Sequence, residues 1–142
     1  MAYCTLAQMV DRFGEAMLIA ATDRGVLASG EIDQAAVARA IADAGALIDG
    51  YLAARYRLPL NAVPALVESL ALAVAAYKLH PDVSSEKIRR DYEDALKQLL
   101  LVSRGEIRLD VAGVEPEGTG ANEVITNQPE RPLSAATMKG YI

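Results

Sequence analysis

From Asp33 onward, apolar residues recur every three or four positions: Val37, Ala40, Ile41, Ala44, Leu47, Ile48, Tyr51 and Leu52. That is the period of a helix with one face turned inward. Asp33 is a good N-cap, and Ile32 and Val37 stand at the two positions of a hydrophobic staple. Pro59 pushes Leu58 out of helical geometry, so this helix is expected to end near Arg57. The same period marks four other stretches. Thr5 and Gln8 have the spacing of a capping box, and Leu6, Met9, Val10 and Phe13 follow on one face. Gly14 is a stop or kink, and "EAMLIAAT" (residues 15–22) reads as a second short helix. Pro64 suits a first helical turn. Leu66, Val67, Leu70, Ala71, Val74 and Tyr77 then give a wide apolar face, with alanines filling much of the rest. A helix so apolar on most sides belongs at the centre of a bundle, and Pro81 ends it. The last helix is expected from Ser84, stapled by Val83 and Ile88. Its inner face is Ile88, Tyr92, Ala95, Leu96, Leu99 and Val102. Arg89, Arg90, Asp91, Glu93, Asp94 and Lys97 make a mixed-sign outer face, and Gly105 is a natural C-terminal stop.

Past Gly105 the pattern changes. "EIRLDVAG" (residues 106–113) alternates in polarity, as a short strand does. Residues 113–142 have no helical periodicity and are rich in Gly, Pro, Thr, Asn and Glu. Their sparse apolar groups are Val124, Ile125, Leu133, Met138 and Tyr141. Such a segment buries too little surface on its own to offset its ordering entropy. The expected architecture is all-α: a small bundle of four to five helices over residues 1–105. A short strand-like segment and a long extended C-terminal arm follow over residues 106–142.

Composition narrows the function classes. A chain of 142 residues fits one domain. Hydrophobic residues at 52% supply a core, and alanine, the best helix former, is abundant. A net charge of −5 and a pI near 4.9 argue against an electrostatic grip on nucleic acid. The single cysteine, Cys4, forms neither an internal disulfide nor a cysteine-based zinc site, and suits a reducing cytoplasm. No leader is expected at the N-terminus. The most apolar stretch, residues 63–77, is broken by Pro64, Glu68 and Ser69 and is too short to span a bilayer.

The chemistry-bearing residues point away from catalysis. His80 precedes Pro81 at a helix end, where an imidazole meets the last carbonyls. Nothing around it marks a nucleophile elbow. "GTG" (residues 118–120) lacks the lysine and further glycine of a phosphate loop. The carboxylates fall on solvent faces. The loop "TDRGVLASGEID" (residues 22–33) has a faint calcium-loop spacing around Gly30, but Gly25 and Leu27 bring no side-chain oxygen to the ligand positions. No catalytic, cofactor or metal residue is therefore expected, and the loop reads as a connection. The remaining cluster is "IDGYLAARYRLPL". Tyr51 and Arg55 are four residues apart, so the guanidinium is placed to lie over the ring. Tyr56 and Arg57 point elsewhere. Either Tyr51 is core and the arginines close the helix end, or Tyr51, Arg55, Tyr56 and Arg57 meet another subunit, as tyrosine and arginine favour interface anchors.

Four stretches, "MAYCTLAQMVDRFGE", "IDGYLAARYRLPL", "RRDYEDALKQL" and "RPLSAATMKGYI", occur in an order and spacing that resembles the Mu-like prophage head-to-tail connector family. The loop at residues 22–33 departs from the aspartate-rich version common in that family, so no metal role carries over. The resemblance implies a structural adaptor in the neck of a tailed phage virion, assembled in the host cytoplasm. It implies a ring of copies, twelve-fold in related adaptors, bound to the portal protein above and a neck or tail protein below. DNA would pass through its channel unbound, with no membrane partner. The arm would hold the portal through Val124, Ile125, Leu133, Met138 and Tyr141, with Arg131 and Lys139 meeting acidic or carbonyl groups. Two alternatives stand beside this reading: a stopper or tail-terminator ring of the same neck, and a small helical DNA-binding regulator with residues 88–101 as its recognition helix.

Overall fold

The computed structural model describes residues 1–80, 82 and 84–111. Five helices form: α1 (Leu6–Phe13), α2 (Glu15–Thr22), α3 (Gln34–Leu52), α4 (Ala65–Lys78) and α5 (Glu86–Arg104). The fold class is all-α, as the periodicity predicts. The start signals act as read. Thr5 and Gln8 complete a capping box on α1. The Asp33 carboxylate accepts the Ala35 and Ala36 N–H groups at the head of α3. Ser85, one residue past the expected Ser84, caps α5 by accepting the Ile88 N–H. Val83 lies outside the described residues, so its half of the staple does too. Gly14 ends α1 and starts α2 at φ 86°, and Gly105 ends α5 in the left-handed region at φ 78°.

The centre of the bundle is α4, packed between α3 and α5. Its residues Leu70, Ala71, Leu72, Ala73, Val74, Ala75 and Ala76 are all buried. Alanine on the secondary faces lets both neighbours approach closely. Around it sit Met9, Leu18, Ile48, Leu52, Leu99 and Val102, fully enclosed, each large aliphatic side chain worth about 1.5–3 kcal/mol of burial. Tyr77 of α4 stacks on Tyr92 of α5, ring centroids 4.0 Å apart and the ring planes nearly parallel. Arg12 ties α1 to α4 by donating to the Ser69 carbonyl at 3.2 Å and hydroxyl at 3.1 Å.

Two expectations are corrected. The third helix stops at Leu52, five residues short of Arg57. The Arg55 and Tyr56 N–H groups both bond back to the Leu52 carbonyl, closing a turn that swings Tyr56 into the core. Residues 106–111 are not a strand. Leu109 and Val111 are buried while Arg108 and Asp110 are exposed. The alternation is that of extended chain lying on helices, with no partner strand among the described residues. The rest of the expected arm, from residue 112, lies outside the described residues.

Candidate interaction surfaces

The Tyr51–Arg57 cluster divides between core and surface. Tyr51 is half-buried in the last turn of α3. Tyr56 is buried, and its hydroxyl accepts the Leu109 N–H at 3.0 Å. It therefore fixes the descending segment rather than standing free. Arg55 does not lie over Tyr51. Its Nη1 donates to the Arg104 carbonyl at 3.3 Å, and its guanidinium covers Gly105. A cation thus closes the C-terminus of α5, where the helix dipole favours it. The arginine does close a helix end, but that of a helix distant in sequence. Its Nε is buried with no hydrogen-bond partner among the described residues. Arg57 is exposed. Val124, Ile125, Arg131, Leu133, Met138, Lys139 and Tyr141 lie outside the described residues.

The same device closes α4. The Arg24 guanidinium donates to the Leu79 carbonyl, and His80 Nδ1–H donates to the Ala76 carbonyl at 2.8 Å. His80 is a capping residue, as its place before Pro81 suggests. Cys4 is buried, and that burial, aided by the Glu68 charge, pushes its thiol up to about 11. A thiol so held is a poor nucleophile. Among the described residues no three His, Cys, Asp or Glu side chains gather as a metal site. On the outer face of α5, Lys87 pairs with Asp91 at 2.8 Å, Lys97 with Asp94 at 3.0 Å and Arg89 with Glu93 at 3.9 Å. Arg90 pairs with Glu86. A recognition helix for phosphates needs cations that are not already matched by acids one turn away.

Two surfaces went unread in the sequence. The first is the loop between α2 and α3. Asp23 accepts the Ser29 N–H at 3.1 Å and the Gly30 N–H at 3.0 Å. These bonds hold its carboxyl below the ordinary value, the Gly30 bond contributing most. Thr22 Oγ1 donates to the Leu18 carbonyl and accepts the Asp33 N–H, pinning the loop base. Between these braces Val26 and Leu27 stand 106% and 87% exposed. Two aliphatics in "GVLA" between charged flanks were the available signal. The second surface is a groove of about 460 Å³ on α3, lined by Met1, Ala2, Ala38, Ile41, Ala42, Ala46 and Asp49. One wall is the N-terminal strap. The Met1 ammonium meets Asp49 at 3.0 Å, and the Tyr3 hydroxyl donates to the same carboxylate. Gly45 lets the Met1 carbonyl press onto α3, where any Cβ would collide with it.

Comparison with known proteins gives the chain's relatives. The family described as Bacteriophage Mu, Gp36 matches residues 3–127. Gene product J of Escherichia phage Mu is 34% identical over 145 aligned positions that span all of both chains. The Mu-like prophage FluMu protein gp36 of Haemophilus influenzae is 33% identical over 111 positions, covering 78% of this chain and 79% of that one.

Proposed function

This chain belongs to the Bacteriophage Mu, Gp36 family, and from that premise we propose that it is a structural, non-enzymatic virion protein: a head-to-tail connector. It forms a ring on the portal of a Mu-like phage or prophage particle and joins the DNA-filled head to the tail. The observation that carries this reading is the end-to-end match to a phage Mu product. Three features of the molecule support it. The helical domain is closed by capping and packing, and among the described residues no three His, Cys, Asp or Glu side chains gather as a metal site. The outer face of α5 is neutralised by internal ion pairs, which suits a protein that lets DNA pass. No described helix is long and apolar enough to cross a membrane.

The test is electron microscopy of particles assembled without this protein. DNA-filled heads lacking tails are the expected result. Empty heads, or none, would place the protein earlier in assembly and end the connector reading. Complete particles would remove it from the neck altogether.

A further inference from the structure

The cations on the outer face of α5 are each matched by an acid about one turn away. A second set is not. Arg24, Arg39 and Lys78 line a cleft of about 180 Å³ where the α2–α3 loop, the first half of α3 and the end of α4 meet. Ala40 and Leu79 give it an apolar floor, and Asp43 is its one carboxylate. Arg24 is engaged with the Leu79 carbonyl. Arg39 and Lys78 are exposed and form no ion pair among the described residues, although Asp43 and Asp82 each stand four positions from one of them. Three cations against one carboxylate make the cleft positive in a chain of net charge −5. Such a place draws carboxylates.

The complement is in the sequence. Beyond Val111, where the described residues end, positions 112–130 carry Glu115, Glu117, Glu123 and Glu130 and no lysine or arginine. We infer that this acidic stretch occupies the cleft of its own bundle, with the Glu123 carboxylate between Arg39 and Lys78. The cleft has room for one carboxylate, and the chain is long enough to bring it there. Leu109 is held by Tyr56 just past the end of α3. Arg39 is thirteen positions back from Leu52, about 20 Å along the helix. The twelve positions from Val111 to Glu123 span up to about 40 Å. Surface ion pairs hold such a segment loosely, so the contact opens readily and weakens with salt. Its effect is to set where the arm departs: residues 124–142 start from the loop end of the bundle instead of from Tyr56. The inference concerns one chain alone and does not depend on the connector reading.

The experiment uses the full chain. A zero-length carbodiimide condenses an amine with a carboxylate, releasing water, and joins only groups that touch. Peptide mapping of the monomer band should find Lys78 joined to Glu123. Salt at about 1 M, which cuts the screening length to about 3 Å, should suppress that product. In parallel, Arg39→Glu with Lys78→Glu should speed amide exchange around Glu123 several-fold, and adding Glu123→Lys should slow it again. Circular dichroism should not change, since Arg39 and Lys78 are exposed. Lys78 joined only to Asp43 or Asp82 overturns the inference. So does a Lys78–Glu123 product found only in the dimer band, which would make the occupant a second copy, or exchange that ignores the charge swap. Any of these leaves the connector reading as it stands, because that is judged from the particles.

Discussion

At the scale of single residues, two arginines close helix ends that lie far from them in sequence. Arg24 and Arg55 each reach from a loop to the last carbonyls of a helix far along the chain. Arg55→Ala should cost about 1 kcal/mol by removing the cation from the end of α5, lowering the melting temperature by roughly 5 °C. Gly105→Ala should cost about 1–2 kcal/mol from its positive φ alone, and more because the new Cβ meets the Arg55 guanidinium. Tyr56→Phe should cost about 1–3 kcal/mol by leaving the buried Leu109 N–H without its acceptor. Calorimetry checks all three. If Arg55→Ala leaves stability untouched, its contact with α5 has no structural role. Cys4 gives a pH prediction. Its folded value lies above the ordinary 9.0, at about 11, so the neutral thiol is favoured in the fold. That stability is complete below pH 9 and is lost as pH rises toward about 11. Cys4→Ala should therefore flatten part of the alkaline fall in melting temperature. The sequence showed that Arg55 and Tyr56 matter near a helix end. It could not show which end, because partners some fifty positions away leave no trace in local spacing.

At the scale of elements, most of the fold was legible. Periodicity gave all five helices, and caps gave their starts within a residue or so. Alanine on the outer faces of α4 told of its central place. The failures fall where tertiary contacts override local preference. "YLAARYR" is good helix sequence, yet α3 stops at Leu52 because Tyr56 is worth more in the core than on a continuing helix. "EIRLDV" alternates, yet finds helices rather than a strand to lie on. Gly45, a poor helix residue, was silent in the sequence because its reason is the Met1 carbonyl against it. Replacing Gly45 with valine should displace the N-terminal strap while leaving the helices intact. The readout is faster amide exchange at Tyr3 and faster labelling of Cys4, with circular dichroism unchanged. Protection that stays as in the parent chain would mean the strap is held by Asp49 alone.

At the scale of the whole molecule, burial sorts the residues of the Tyr51–Arg57 cluster in a way that local spacing does not show. Tyr56 and Arg55 turn inward, whereas Val26 and Leu27, which looked like filler in a connection, stand outermost. Exposure is a property of the folded surface, so an aliphatic pair in a loop reads the same whether it is covered or bare. Residues 113–142 remain a compositional expectation. Deleting them should leave helicity nearly unchanged and abolish attachment to the portal, and a truncated chain that still joins heads to tails would refute that role. The Asp23 brace governs how freely the loop moves. Fixing a residue's backbone costs about 1–2 kcal/mol in lost freedom, and the loop meets that cost on folding through the Asp23 bonds. Asp23→Ala should therefore release the loop, read as faster amide exchange at Ser29 and Gly30 with the helices unchanged. Because the Asp23 carboxyl titrates below its ordinary value, the brace holds above that value and fails as pH falls through the lowered one. The loop is stiff wherever Asp23 is ionised, and a single proton makes it slack.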